Sequence, residues 1–259
     1  MDKPRLLIGS CICQTPLILE RFLNSLGNLD LSGFETTFMF YDDNQNSASA
    51  LLLYEAALPG DVKIISGQAK DAQYYVDETT HYWNDTLVLR VASMKNEIIS
   101  YAAENGFDYL FLIDSDILVD KNLLMHLKEQ NKDILSEIFW TVWQPGTLPM
   151  PNAWLFDMYE MAHPRLDDET KWAKTVEFME GLKVPGVYEV GGLGACTLIS
   201  AKALKAGVNF SPLKNVSFWG EDRWFCVRAA AMGFELFVDT FYPATHLYRE
   251  SDIPKQASE

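Results

Sequence analysis

Two aspartates one residue apart close an apolar run at Phe111-Leu112-Ile113-Asp114-Ser115-Asp116. Such a run reads as a buried strand, and in an open α/β sheet ligands bind at the carboxyl ends of the strands. Carboxylates delivered there repel one another unless a cation or hydrogen-bond donors neutralise them. The chemistry this spacing suggests is a divalent metal held against a phosphate. A second acidic pair stands in Phe218-Trp219-Gly220-Glu221-Asp222 and opens a helix-like segment running through Ala231 to Gly233. A helix N-terminus tolerates carboxylates because the dipole stabilises them, so this pair has a structural reading beside a chemical one. His246, one of four histidines, lies just before the tail in Thr245-His246-Leu247. A third acidic step, Tyr41-Asp42-Asp43-Asn44, ends another strand-like run, where an Asx turn is the structural alternative. The glycines of Gly191-Gly192-Leu193-Gly194-Ala195 let backbone approach a ligand closely or simply make a tight turn.

The elements that must carry these groups alternate between β-like and helix-like segments, as βαβ units with a mostly parallel sheet do. Arg5 to Cys13, Glu35 to Tyr41, Val62 to Ile65, Tyr109 to Ile113 and Glu235 to Val238 read as strands. Leu17 to Leu26 reads as an amphipathic helix stopped by Gly27, and Ala48 to Ala57 as a second, closed by Pro59-Gly60. A long helix is expected over Thr86 to Asn105, with Leu89, Ala92, Ser93, Asn96, Ile99 and Ala103 at helical spacing, and another over Asp120 to Asn131, capped by Asp120. Ser66 to Asp85 is polar and dotted with aromatics, and reads as a loop over the sheet edge. A soft boundary near residue 135 separates a half over 1–135 from a half over 136–259. Beyond it, Trp140, Trp143, Trp154, Pro145, Pro149 and Pro151 crowd one segment. That crowding suits either a binding groove or an aromatic core under a long loop.

Composition limits the classes of function. The chain has 259 residues, 48% of them apolar, enough for one large domain with a full core. Its 36 acidic against 21 basic residues, a formal charge of -15, argue against a general nucleic-acid surface. A nucleotide needs only local contacts and stays open. Cys11, Cys13, Cys196 and Cys226 lack paired zinc spacing and read as reduced core thiols. Met1 to Ile8 offers too short an apolar stretch for a signal peptide or a membrane span. A cytoplasmic protein is expected, with peripheral docking on a membrane left open and the oligomeric state unspecified.

In this order the pieces resemble the metal-dependent GT-A glycosyltransferases, especially the inverting nucleotide-sugar transferases of family two, over most of the chain. The resemblance implies a Rossmann-like nucleotide-binding half, a mostly parallel mixed sheet flanked by helices, fused to an acceptor-binding half. Asp43 matches the family's base-contacting aspartate and is expected to accept from the ring N–H of uracil. Arg90, six residues before Asn96, matches the Arg that meets nucleotide and diphosphate, with Lys95 a weaker candidate. Asp114-Ser115-Asp116 looks like the DXD motif: Asp116 is the expected metal ligand, and Asp114 holds the ribose or a metal-bound water. His246 falls where many such enzymes place a third ligand to Mn2+ or Mg2+. Gly220-Glu221-Asp222 resembles the segment that supplies the general base, here Asp222, with Glu221 on sugar hydroxyls. Gly192 joins the donor-binding set. The partners implied are a nucleotide-sugar, with a UDP-sugar favoured, and a carbohydrate, lipid-linked or protein-linked acceptor.

Departures and competitors shape the expectation. No Gln-x-x-Arg-Trp motif is present, which points to transfer of a single sugar rather than polymer synthesis. A DXD, a later Glu-Asp and a closing His also resemble retaining mannosyltransferases that use a GDP-sugar. A haloacid-dehalogenase phosphatase would continue its Asp-x-Asp with Gly-Thr or Gly-Val, and here Ile117-Leu118 follows. A sugar-nucleotide pyrophosphorylase would want a glycine-rich basic loop, which Gly9-Ser10-Cys11-Ile12-Cys13-Gln14 is not. A non-catalytic nucleotide-sugar-binding module would have no need of the pair Glu221 and Asp222.

Overall fold

The computed structural model describes residues 3–67, 74–77, 79–216 and 220–254. Phe218 and Trp219, quoted above beside the second acidic pair, lie outside the described residues, as does part of the expected loop between Ser66 and Asp85. The amino-terminal part builds β1 (Arg5–Ile12), α1 (Pro16–Gly27), β2 (Glu35–Asp42), α2 (Ser47–Glu55), β3 (Asp61–Ser66), α3 (Asp85–Glu104) and β4 (Tyr109–Leu112). After it come β5 (Ile117–Leu118), α4 (Leu123–Glu129), β6 (Ile134–Thr141), β7 (Met150–Pro151) and β8 (Ala153–Trp154). The remainder is α5 (Asp168–Gly181), β9 (Val187–Val190), β10 (Gly192–Leu193), β11 (Thr197–Ser200), α6 (Ala201–Ala206), α7 (Glu221–Ala231) and β12 (Leu236–His246).

One mixed ten-stranded sheet runs β3-β2-β1-β4-β11-β6-β12-β5, with β7 on β6 and β9 on β12, and β8 pairs β10 separately. β1 is parallel to β2 and β4, β2 to β3, and β6 to β12, while β11 runs against both β4 and β6. Strand alternation sends Leu7, Leu110 and Leu112 to one face, where α3, α6 and α7 cover them. Leu6, Ile8 and Phe111 go to the other, under α1, α2 and α4. The expectation of an α/β sheet flanked by helices is met, and six strands of one direction, β1 to β4, β6 and β12, set up a cleft at their carboxyl ends.

Two local expectations need correction. The helix expected from Asp120 begins only at Leu123, because the Asp120 carboxylate accepts the Asn122 backbone N–H at 2.8 Å and closes an Asx turn first. The inward face of α3 is Leu87, Val88, Ala92, Met94, Lys95, Ile98, Ile99 and Ala102, whereas Leu89 is 47% exposed. The helix is rotated from the expected stripe so that a lysine points inward. What makes that tolerable lies in the cleft.

Candidate active site

The two acidic motifs meet at one cavity of about 600 Å³ at the carboxyl ends of β1, β2 and β4. Asp114, Ser115 and Asp116 leave β4 at its end, and Asp43, Arg90, Glu221, Asp222 and His246 line the same space. Asp116 and His246 are brought together by a short antiparallel ladder that sets His246 opposite Ile117 and Thr245 opposite Leu118. The Asp116 carbonyl also accepts the Leu247 N–H at 2.8 Å. His246 Nε2 then stands 3.4 Å from Asp116 Oδ2, while its Nδ1 and the Thr141 hydroxyl are 2.8 Å apart. The hydroxyl contact fixes the ring so that Nε2 faces the carboxylate. The histidine, and His81 beyond it, hold the Asp116 carboxyl below its ordinary range despite burial.

The donor atoms suit a divalent metal. Asp116 Oδ1 is buried without a hydrogen-bond partner, although a carboxylate oxygen so placed is costly. Beside it, His246 offers an imidazole nitrogen, a ligand borderline cations such as Mn2+ accept. Among the described residues no three His, Cys, Asp or Glu side chains converge into a complete cage. A metal seated on Asp116 and His246 would therefore complete its shell from water and diphosphate, as Mg2+ and Mn2+ sites in phosphoryl chemistry do.

Asp114 faces the other way. Its carboxylate lies 3.4 Å from Lys95 Nζ, which also reaches Glu221 at 3.2 Å and Asp222 at 3.3 Å. Lys95 is 1% exposed, so three carboxylates from two distant motifs offset its desolvation. They hold its ammonium firmly protonated. Asp222 in turn is lifted to about 7, first by burial and then by Glu221 and Asp114, with Lys95 opposing. The pair sits on the first turn of α7, whose N-cap, Gly220, has φ 144. A Cβ there would lie 2.4 Å from the Tyr159 hydroxyl.

At the opposite end of the cavity Arg90 and Asp43 form an ion pair, and burial raises the Asp43 carboxyl despite that partner. Asn44 braces this corner: its side chain accepts the Gln14 N–H at 2.9 Å and donates to Asp42 at 2.8 Å. A Cβ on Gly67 would sit 2.5 Å from Asp43 Oδ1, so the glycine keeps the corner open. Cys11 and Cys13, read from sequence as core thiols, line the cavity with half-buried side chains, whereas Cys196 and Cys226 are buried; all four are free. Burial pushes the Cys13 thiol up to about 11, so it is no nucleophile at neutral pH.

Gly192 is not brought to the cavity. It is buried in β10 under the indole of Trp154, whose ring would stand 2.0 Å from an added Cβ, and Gly194 and Ala195 are the residues of that run that line the wall. Trp143 and Trp154 line the cavity too, as does Asn152, but Asn152 spends its side chain on Phe139, Ser136 and Glu137 of β6 and so acts as scaffold.

Residues the sequence did not single out complete the rim. Met158 and Tyr159 hold successive left-handed conformations, φ 64 and 60, with no glycine between them. Such strain persists where surroundings over-determine it. Here the Arg223 guanidinium forks onto Asp157, Lys171 pairs with Glu160, and the Tyr159 ring packs 4.6 Å from Trp154. Tyr248 and Arg249 close the far side: Tyr248 meets Thr80 and His81, and buried Arg249 donates to the carbonyls of Thr79, Val142 and Trp143. The only sequence signal for this rim was its aromatic density.

The fold is that of the GT-A class. Over 98% of its length the chain superposes on a fragment of S. aureus TarS, residues 1–349, solved in complex with UDP-GlcNAc, at a TM-score of 0.53 and 14% identity. It superposes equally, over 99% of its length at TM-score 0.53 and 10% identity, on the mannosyltransferase PcManGT of Pyrobaculum calidifontis, solved with GDP-Man and Mn2+. The chain spans 62% and 59% of the lengths of those two structures. No sequence-family profile matches the chain, and no curated protein matches it by sequence. Among the described residues no helix is long and apolar enough to cross a membrane.

Proposed function

We propose that this chain is a glycosyltransferase that moves one sugar from a nucleoside-diphosphate sugar, with UDP the favoured nucleotide, to an acceptor hydroxyl. The reading includes metal assistance and inversion at the anomeric carbon. The observation that carries it is one cavity with three chemically distinct stations. They are the Asp43–Arg90 corner, the Asp116–His246 pair with its orphan oxygen, and the Glu221–Asp222 pair at a helix N-terminus. Neighbours of the same fold that hold UDP-GlcNAc or GDP-Man with Mn2+ support a nucleotide-sugar donor.

In this reading Asp43 accepts from the base and Arg90 turns its guanidinium fork to base or diphosphate. Asp116 and His246 hold the divalent metal, Mn2+ or Mg2+, which when bound neutralises charge on the departing diphosphate. Asp114 holds the ribose or a metal-bound water. Asp222, with a carboxyl near 7, is matched to taking the acceptor proton as that oxygen attacks. Glu221 orients sugar hydroxyls, and Lys95 positions both carboxylates from below the cavity floor. The cavity floor is otherwise apolar and aromatic, which limits loss of the donor to water.

The test is calorimetric. UDP affinity should tighten when Mn2+ is added, and Asp116→Asn should remove that dependence while metal-free affinity stays close to wild type. Equal UDP affinity with and without metal in the unaltered protein would sink the metal assignment.

A further inference from the structure

A second concavity, of about 510 Å³, lies behind the strained Met158–Tyr159 turn and shares a wall with the first: Met161 lines both. Its lining is chiefly Leu155, Phe156, Leu166, Phe178 and Leu182, with charged side chains confined to Lys174, Glu177 and Glu189. Lys174 and Glu177 are already paired with each other on the solvent side. The helix that forms one bank is unusual. α5 spans 14 residues and buries none of them. Its groove-facing residues Lys174, Glu177, Phe178 and Gly181 follow helical spacing, and of these Phe178 packs against the core while the others border open space. A helix gains its stability by covering an apolar face, and an unfilled apolar groove of this volume is of the size that binds an organic chain.

From this we infer that the groove receives an apolar aglycone, an alkyl chain joined to the acceptor sugar, while that sugar sits against Tyr159 beside Asp222. The inference rests on the glycosyl-transfer reading above and names the acceptor class for it. Two observations favour that occupant. The groove adjoins the base-bearing end of the first cavity, since Met161 lines both and Tyr159, two residues earlier, has its hydroxyl beside Gly220 and feels the Asp222 and Glu221 carboxylates. Its polar side chains are exposed ones at the edge, His163, Lys174, Glu177 and Glu189, or already bonded, as the Tyr188 hydroxyl is to the Val184 carbonyl, which leaves the apolar wall for an apolar group.

Gly181 supplies the means of testing it. A Cβ added there meets nothing within 4 Å, so Gly181→Phe can be placed on the bank without displacing the core and its ring competes for the groove. The probes are methyl and n-octyl β-D-glucoside, titrated below the micelle concentration in the presence of UDP and Mn2+, and followed by calorimetry. The two share one sugar, so their difference isolates the chain. Burying two methylenes is enough for a tenfold gain, and n-octyl should bind at least tenfold tighter than methyl to the unaltered protein. Gly181→Phe should abolish that ratio while keeping the melting temperature and the UDP affinity. Leu166→Asn should reduce the ratio several-fold and is the second variant should the first fold poorly. Equal affinity of the two glucosides, or a chain-length effect that survives in both variants, overturns the inference. Metal-dependent hydrolysis of a panel of nucleotide-sugars, run alongside, separates the two readings. Hydrolysis without a chain-length effect defeats the groove alone, and a chain-length effect without hydrolysis of any donor defeats the transferase reading.

Discussion

Replacing Lys95 with methionine should move the acid limb of the pH–rate profile upward. The lysine lies 3.3 Å from Asp222 and 3.2 Å from Glu221, and it is buried. At an effective dielectric constant near 20, one such pair corresponds to about 5 kcal/mol of attraction before desolvation. Most of that is returned when the ammonium is taken out of water, and Asp222 is itself a quarter exposed. A residue of about 1.4–3 kcal/mol is reasonable, which corresponds to roughly one to two pH units at the carboxyl. With Asp222 at about 7 in the unaltered protein, transfer should be flat on the alkaline side and fall tenfold per unit below neutrality. Lys95→Met should keep the same shape displaced upward, so that activity at pH 7 drops by roughly 5- to 50-fold yet recovers above about pH 9. The assay is release of nucleoside diphosphate at saturating metal, read as kcat/KM. A uniform loss at every pH would mean that Lys95 only holds the fold, and an unmoved limb would mean that the limb does not belong to Asp222.

Other outcomes are equally direct. Asp222→Asn should leave donor binding by calorimetry near wild type while transfer falls by roughly 100-fold or more; loss of donor binding with chemistry intact at saturation would make Asp222 a donor-site residue. Product from a single turnover, examined by NMR before it anomerises, should have the configuration opposite to the donor, and retention would overturn the general-base role. Glu137, fully buried and in register with Asp239 on the neighbouring strand, has its carboxyl raised to about 9 by burial and by that aspartate. A carboxyl raised on folding contributes stability that is complete below its ordinary value near 4.5 and is lost as pH climbs toward 9. The melting temperature should therefore decline across that window, and Glu137→Gln should flatten the decline. Gly192→Ala should cost several kcal/mol in denaturant melts, since its Cβ would land 2.0 Å from the Trp154 ring; near-neutral stability would show that the indole yields.

The parts of this molecule that were legible in its sequence are those where one local rule acts alone. β1, β2 and β4 are apolar runs with polar ends, and α1 carries its stripe and its stop. The aspartates at 114 and 116 stand at a strand end for the same reason. Where two demands competed, the sequence misled. Lys95 occupies an inward position of α3 because the cavity needs a cation there, and a stripe drawn from apolar residues alone put Leu89 inside instead. β6 crosses the middle of the sheet, yet it carries Ser136 and Glu137, both fully buried, so its pattern never resembled a central strand. α5 shows no apolar stripe because it fully buries no residue and sets only Phe178 against the core. Gly192 looked like ligand-facing backbone, and its missing side chain in fact makes room for an indole. The Met158–Tyr159 turn could not be foreseen, since two left-handed residues without glycine follow from Arg223 gripping Asp157 across 66 positions of sequence.

The ladder that sets His246 opposite Ile117 has a consequence for how the protein comes into being. β12 enters the sheet beside β6 and reaches β5 across more than a hundred residues, the kind of distant pairing that forms late because loop closure must precede it. The strands from β1 to β4 and their helices are contiguous in the chain and pair among themselves, so they have a route to order while the rest is still being made. Asp116 would then wait without its imidazole partner. The Asp43–Arg90 corner and the Asp116–His246 pair are thereby completed at different moments of biogenesis, and a ribosome-bound chain halted before Leu236 would hold the first without the second.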